Sequence, residues 1–176
     1  QQWRSRGGGV RRLEANLTRV LGPGPVEPDR LREVSRAGMR SYMRYWCDAF
    51  RLPGWDAARI DSFDLRHSER ILTQLQAGRG VVVALPHMGN WDHAGAYFCK
   101  HYTQVTTVAA RLEPTALFDA FVAYRASLGM RILGLGDAGV YPALVQTLNS
   151  GGFVPLLADR DLSASGIEVQ FMGEAT

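Results

Sequence analysis

Lysine is almost missing from this chain. Of the twenty basic residues among 176, nineteen are arginine and only Lys100 is lysine. Any phosphate contact therefore falls to the planar guanidinium fork rather than to an ammonium point charge. Cysteine is nearly as scarce: Cys47 and Cys99 have no metal-like spacing and sit within helical patterns. That excludes a disulfide framework and points to a reduced, cytosolic pair of thiols. No run approaches the ~18 consecutive apolar residues of a membrane span, and no signal-peptide pattern opens the chain. Internal repeats and low-complexity tracts are lacking as well.

What is present is the composition of a folded domain with a substantial core, 46% hydrophobic and 21% charged. The net charge of +3 conceals an asymmetry. Residues 1–80 carry fifteen arginines against nine acids, a net of +6, while residues 81–176 carry five basic residues against eight acids, a net of −3. Two readings stand side by side. One is the compositional habit of a GC-rich genome; the other is a basic face toward anionic phospholipid headgroups. Nucleic acid is not expected as a partner, because the arginines are spread over amphipathic helices without a binding motif.

Periodicity separates the chain into two styles. Val10, Leu13, Leu17, Val20 and Leu21 recur at helical spacing, and Gly22-Pro23-Gly24-Pro25 ends that helix, predicted over 10–21. A second helix is predicted over 30–50, closed by Pro53-Gly54, and a third over 68–77, stopped by Gly78. From Gly80 onward, strand signals at 81–85, 105–109, 131–133, 153–157 and 167–171 alternate with helical stretches at 91–101, 115–128 and 141–148. This predicts an α/β fold: a central, mostly parallel or mixed sheet flanked by helices, with additional N-terminal helices. No flexible linker is visible, so one domain is expected over 1–176, mainly helical over 1–79 and α/β over 80–176.

The most informative segment follows the first strand signal: His87-Met88-Gly89-Asn90-Trp91-Asp92. Five residues on a regular helix rotate by roughly 140° at ~3.6 residues per turn, so His87 and Asp92 can meet only across a turn. Gly89-Asn90 supplies one. A carboxylate opposite an imidazole fixes its tautomer and makes it a general base. The competing reading leaves Asp92 as a helix N-terminal acid and His87 as an ordinary loop residue. Ligand sites in open α/β sheets gather beyond the carboxyl ends of strands, and His87, Arg111 and Asp159-Arg160-Asp161 each follow a strand signal.

The segment resembles the HX4D motif of glycerolipid-type acyltransferases. The wider run Ala84-Leu85-Pro86-His87-Met88-Gly89-Asn90-Trp91-Asp92 is similar to the branch containing lipid A lauroyl transferases and actinobacterial phosphatidylinositol mannoside acyltransferases. Further blocks match in order: Thr107-Val108-Ala109-Ala110-Arg111-Leu112-Glu113-Pro114, Tyr124-Arg125-Ala126-Ser127-Leu128-Gly129, Ala158-Asp159-Arg160-Asp161-Leu162 and Gly166-Ile167-Glu168-Val169-Gln170-Phe171-Met172-Gly173-Glu174. Upstream, Glu14-Ala15-Asn16-Leu17 and Ser41-Tyr42-Met43-Arg44-Tyr45-Trp46 look similar to the mannoside branch.

The resemblance implies an O-acyltransferase that moves a fatty acyl group from acyl-CoA, a co-substrate rather than a cofactor, to a mannose hydroxyl of a phosphatidylinositol mannoside. A lipid A precursor with an acyl-carrier-protein donor, or a silent lipid-binding homologue, are the alternatives. It further implies His87 as base, oriented by Asp92 with Asp159 completing the relay, and phosphate or carrier contacts from Arg111, Arg125 and Arg160. Asn90 and Trp91, with Tyr97 and Phe98, are candidates for lining an acyl groove. Attachment is expected to be peripheral, at the cytoplasmic face of the plasma membrane, and the parent chain longer at both ends.

Two positions depart from the branch pattern: Asp159 where it has Glu, and Ala110 where it commonly has Glu. If the strand at 153–157 lies parallel and adjacent to the one at 81–85, Asp159 approaches the same histidine as Asp92. No metal is expected, since His87, Asp92, His93 and His101 make only a loose cluster. The G-x-G-x-x-G spelling at Gly134-Leu135-Gly136-Asp137-Ala138-Gly139 reads as a loop turn, because no acidic residue ends a strand about twenty positions on.

Overall fold

Apolar side chains at helical spacing produce two long helices at the start of the chain, α1 at Gly8–Leu21 and α2 at Pro28–Arg51, each running slightly beyond its predicted span. The computed structural model describes residues 7–22, 24–159 and 166–176. Packing divides the chain into two units, Gln1–Asp48 with Leu162–Thr176, and Ala49–Asp161. In the first unit α1 turns Val10 and Glu14 inward, and Arg32 Nη1 on α2 donates to Glu14 Oε1 at 2.7 Å. The strand expected over 167–171 shrinks to Gln170–Phe171 (β5), which pairs antiparallel with Glu174–Ala175 (β6). Met172 and Gly173 between them both adopt positive φ, the twist of a two-residue hairpin turn. The fifth strand signal is therefore a small ribbon grouped with the N-terminal helices.

The second unit holds the α/β pattern. After a short 3-10 turn at Leu52–Gly54 come α3 (Ala57–Asp61) and α4 (Glu69–Gln76). Alternation then gives β1 (Val81–Leu85), α5 (Trp91–His101), β2 (Thr106–Ala109), α6 (Thr115–Ser127), β3 (Arg131–Gly134), α7 (Val140–Asn149) and β4 (Phe153–Leu157). β1 pairs parallel with β4, β2 pairs parallel with β3, and a parallel bridge between Val105 and Phe153 sets β4 beside β2. The resulting order is β1-β4-β2-β3.

Pro155 explains why the middle of this sheet is loosely laddered. Gly152 O accepts from Val81 N, and Ala158 N donates to Leu85 O, so even-numbered residues of β4 direct their polar groups at β1. Odd-numbered residues face β2, and there proline has no N–H to give. Thr107 repairs part of the gap by donating its Oγ1–H to the Pro155 carbonyl at 2.6 Å.

The core gathers Phe98, Val105, Met130 and Phe153, with Leu65, Ile71, Leu75 and Leu128 packed around them. Phe98 and Phe153 stack with ring centroids 4.7 Å apart. Leu65, Ile71 and Leu75 come from the stretch before β1, which accounts for the unit boundary falling at residue 48 rather than near 79. Lys100 Nζ and His101 Nε2 at the end of α5 both reach Asp61 Oδ1, at 2.7 and 2.6 Å, fastening α3 to the same body.

Candidate active site at the ends of β1 and β4

Register decides what converges. Leu85 and Leu157 are partners at the carboxyl ends of adjacent parallel strands, so the residues two beyond each end emerge side by side. Those residues are His87 and Asp159. The His87 backbone N–H donates to Asp159 Oδ2 at 2.8 Å, and His87 Nδ1 lies 2.6 Å from Asp159 Oδ1. These two bonds, the side-chain one first, hold the Asp159 carboxyl below its ordinary pKa range, so it is ionised at neutral pH. An ionised carboxylate can only accept, which puts the ring proton on Nδ1 and leaves the Nε2 lone pair for a substrate hydroxyl. Both side chains are about two-fifths exposed, 38% and 40%. The edge of Trp91 supports the imidazole at 5.7 Å between centroids.

The loop between His87 and α5 turns as its residues require. Met88 N–H donates to Pro86 O at 2.8 Å, and Gly89 takes φ +68°, a conformation that costs glycine nothing. Asn90 is the N-cap of α5: its Oδ1 accepts from His93 N at 3.0 Å. A capping role, rather than a groove wall, is what its side chain performs.

Asp92 departs from expectation. Its carboxylate is 1% exposed and accepts from Arg125 Nε at 2.8 Å, while His87 takes its carboxylate partner from Asp159. The first turn of α5 sets Asp92 inward, onto Arg125 of α6. Arg125, with 16% of its side chain exposed, is correspondingly committed to a buried ion pair instead of an open phosphate contact. Next to this pair the Tyr124 hydroxyl is buried without a hydrogen-bond partner among the described residues. Burial, and secondarily the charge of Asp92, push its pKa above the usual phenol range.

The remaining candidates are dispersed. Arg111, after β2, pairs through Nε and Nη2 with Asp137 and lies over the Phe118 ring. Asp137 is thus engaged inside the glycine-rich loop, which is a turn with Gly136 and Gly139 at positive φ. Arg160 lies outside the described residues. His93 Nε2 contacts the Ile60 carbonyl at 2.8 Å, between the Trp55 and Phe63 rings, and His101 faces Asp61, so neither turns toward His87. Tyr97 packs on Phe63 and His101.

Trp91 and Phe98 do line a cavity of about 230 Å³ between α5 and the sheet. It begins at Asp92 and at Leu85 and Leu157, two residues before His87 and Asp159, and runs inward to Phe153 and Met130. Its lining is mostly apolar, with Asp92, Thr107 and Arg125 among the exceptions. Met130, Phe153 and Gly95 were not singled out by sequence reasoning. The signal for Gly95 is the helical stripe Asp92, Gly95, Phe98, which shares a face of α5.

Residues 4–176 match the family model described as "Bacterial lipid A biosynthesis acyltransferase". Among curated proteins, the chain is 43% identical, over 99% of its own length and 58% of the relative's, to a phosphatidylinositol mannoside acyltransferase of Mycolicibacterium smegmatis. It is 40% identical, over 98% of its length and 55% of the relative's, to proteins of the same name from two strains of Mycobacterium tuberculosis. The chain therefore spans somewhat more than half the length of the curated relatives it matches.

Proposed function

Because this chain belongs to the bacterial lipid A biosynthesis acyltransferase family, we propose that it transfers a fatty acyl group from acyl-CoA to a mannose hydroxyl of a phosphatidylinositol mannoside. His87 serves as general base. The names of the relatives support the acceptor. The observation that carries the chemistry is the 2.6 Å contact of His87 Nδ1 with an ionised Asp159, each two residues beyond a strand end, Leu85 and Leu157, that lines the apolar cavity.

In this reading the acyl chain enters the cavity and its thioester carbonyl lies at the mouth. His87 Nε2 takes the proton of the mannose hydroxyl as that oxygen attacks the carbonyl carbon. The tetrahedral intermediate then collapses, breaking the carbon–sulfur bond, and the departing CoA sulfur receives the proton from the imidazolium. Asp159 holds the tautomer and balances the transient positive charge. The N–H groups of His87 and Met88 are already bonded to Asp159 and Pro86, so donors for the oxyanion come from Gly89 onward. Asp92 and Arg125 act from below, fixing α5 against α6. Arg111 is half-exposed beside Asp137, and that exposure supports a contact with a donor or acceptor phosphate. The enzyme works peripherally at the cytoplasmic face of the plasma membrane.

The test is acyl transfer by the purified chain, read by mass spectrometry of the lipid product. Mannosylated phosphatidylinositol and a lipid A precursor are offered in parallel. His87→Ala is expected to lower the rate by at least ~100-fold, the low end for loss of a general base. Near-normal turnover by folded His87→Ala would overturn the mechanism, and preference for the lipid A precursor would overturn the acceptor.

A further inference from the structure

Gly95 breaks a local rule. It sits in the middle of α5 and is buried, where glycine costs about 1 kcal/mol relative to alanine. The cause is across the cavity wall. A Cβ built on Gly95 would lie 2.6 Å from Met130 Sδ and 3.0 Å from its Cε. Met130 is itself 6% exposed, lines the cavity and belongs to its inner wall with Phe98 and Phe153.

We infer that Gly95 and Met130 together form the floor that sets the acyl chain length this cavity accepts. The inference rests on the acyltransferase reading above and deepens it. Gly95 follows Asp92 by one turn on the same face of α5, ~4.5 Å further along the axis at ~1.5 Å per residue. The sheet side of the cavity runs from Leu157 back to Phe153, ~13 Å at ~3.3 Å per residue. Phe98, Met130 and Phe153, each nearly fully buried, close the cavity at its inner end. The chain therefore ends against a definite surface. The thioether is the most adjustable part of that surface: unbranched, with rotamers that shift at small cost. The absent side chain at 95 is what lets it lie back against α5. Adding a methyl there turns the thioether toward the open side, which is the cavity, and raises the floor. Removing the thioether lowers it.

The test measures kcat/KM for saturated acyl-CoA esters from octanoyl to stearoyl with wild type, Gly95→Ala, Met130→Ala and the double variant. In parallel, free fatty acids of the same lengths compete with a fluorescent fatty acid for binding, a readout that needs no turnover. Gly95→Ala should move the preferred length down by about one or two carbons, with each carbon that no longer fits costing about fourfold, equivalent to ~0.8 kcal/mol per CH₂. Met130→Ala, which removes Cγ, Sδ and Cε, should move it up by about three carbons by the same packing argument. The double variant should fall between the two. Met130→Leu, which conserves volume but ends one atom sooner, gives the upward shift in smaller measure if Met130→Ala does not fold.

An unchanged optimum in Gly95→Ala and in the Met130 variants overturns the proposal while leaving the acyltransferase reading intact. If no acyl-CoA is used by wild type, that reading falls and the binding series still decides. Shifted length preference in binding supports the floor; equal preference, or no fatty-acid binding at all, removes it.

Discussion

At the scale of single residues, two aspartates that look interchangeable in the sequence do different work. Asp92 is buried with Arg125, whereas Asp159 is exposed and faces His87. Breaking a buried ion pair by removing one partner leaves an uncompensated charge and costs ~3–5 kcal/mol. Arg125→Ala should therefore lower stability by that order in urea unfolding. Asp159→Asn should leave the urea midpoint near wild type at neutral pH and lower acyl transfer by ~100-fold or more, because Asn permits the wrong imidazole tautomer. A large loss of stability in Asp159→Asn would contradict the division of labour. The pH dependence has a definite sign. A carboxyl whose folded pKa lies below its unfolded value stabilises the fold above the unfolded pKa and loses that contribution as pH falls through the folded one. Any stability difference between wild type and Asp159→Asn should thus be constant near neutrality and fade only at acid pH. Sequence spacing pointed to His87 and its turn, since Gly89 and Asn90 carry their own conformational instructions. It reached Asp159 only on the condition that the strand at 153–157 lies beside the one at 81–85, and it gave Asp92 to His87 rather than to Arg125. Asp92 and Arg125 are thirty-three positions apart, and an inward-pointing acid reads the same as an outward-pointing one until α6 is in place.

At the scale of elements, the alternation of apolar runs and helical stripes was legible because the strands are short and apolar, with Gly80 and Gly152 directly before β1 and β4 and Gly134 closing β3. Trp91–His101 and Phe153–Leu157 begin and end at their predicted residues. Strand order was not legible, since it depends on pairing between segments seventy residues apart. The ribbon of Gln170–Phe171 with Glu174–Ala175 was hidden for a similar reason: its apolar residues are exposed, and apolarity alone had suggested a sheet strand. Close approaches between elements give the sharpest stability prediction. A Cβ on Gly80, at the entry to β1, would lie 2.1 Å from the Leu148 carbonyl oxygen at the end of α7. Backbone cannot rotate aside as a side chain does, so Gly80→Ala should destabilise the second unit by ~1–3 kcal/mol, the range for overpacking. Thermal unfolding measures it, and an unchanged melting temperature would mean that α7 and β1 are not held this closely.

At the scale of the whole molecule, the charge asymmetry gains a structural address. Nine of the fifteen arginines of residues 1–80 lie on α1 and α2. On α2, Arg40, Met43 and Arg44 are exposed at helical spacing, with Tyr42 also exposed beside them. Among the described residues no helix is long and apolar enough to cross a membrane. On the proposed function, these guanidiniums meet the phosphates of the bilayer, with Met43 and Tyr42 at the headgroup boundary. The compositional explanation for the arginines makes no such demand, and the two separate experimentally. Each basic residue near an anionic surface contributes ~1 kcal/mol, so Arg40→Gln with Arg44→Gln should weaken partitioning onto phosphatidylserine- or phosphatidylinositol-containing vesicles by ~30-fold. Binding to neutral vesicles should hardly change. Raising the salt shortens the Debye length from ~10 Å at 0.1 M to ~3 Å at 1 M, and should bring wild type down toward the double variant. Equal sedimentation of wild type and variant with anionic vesicles at low salt would assign the arginines to composition alone, and membrane contact would then have to come from elsewhere on the molecule.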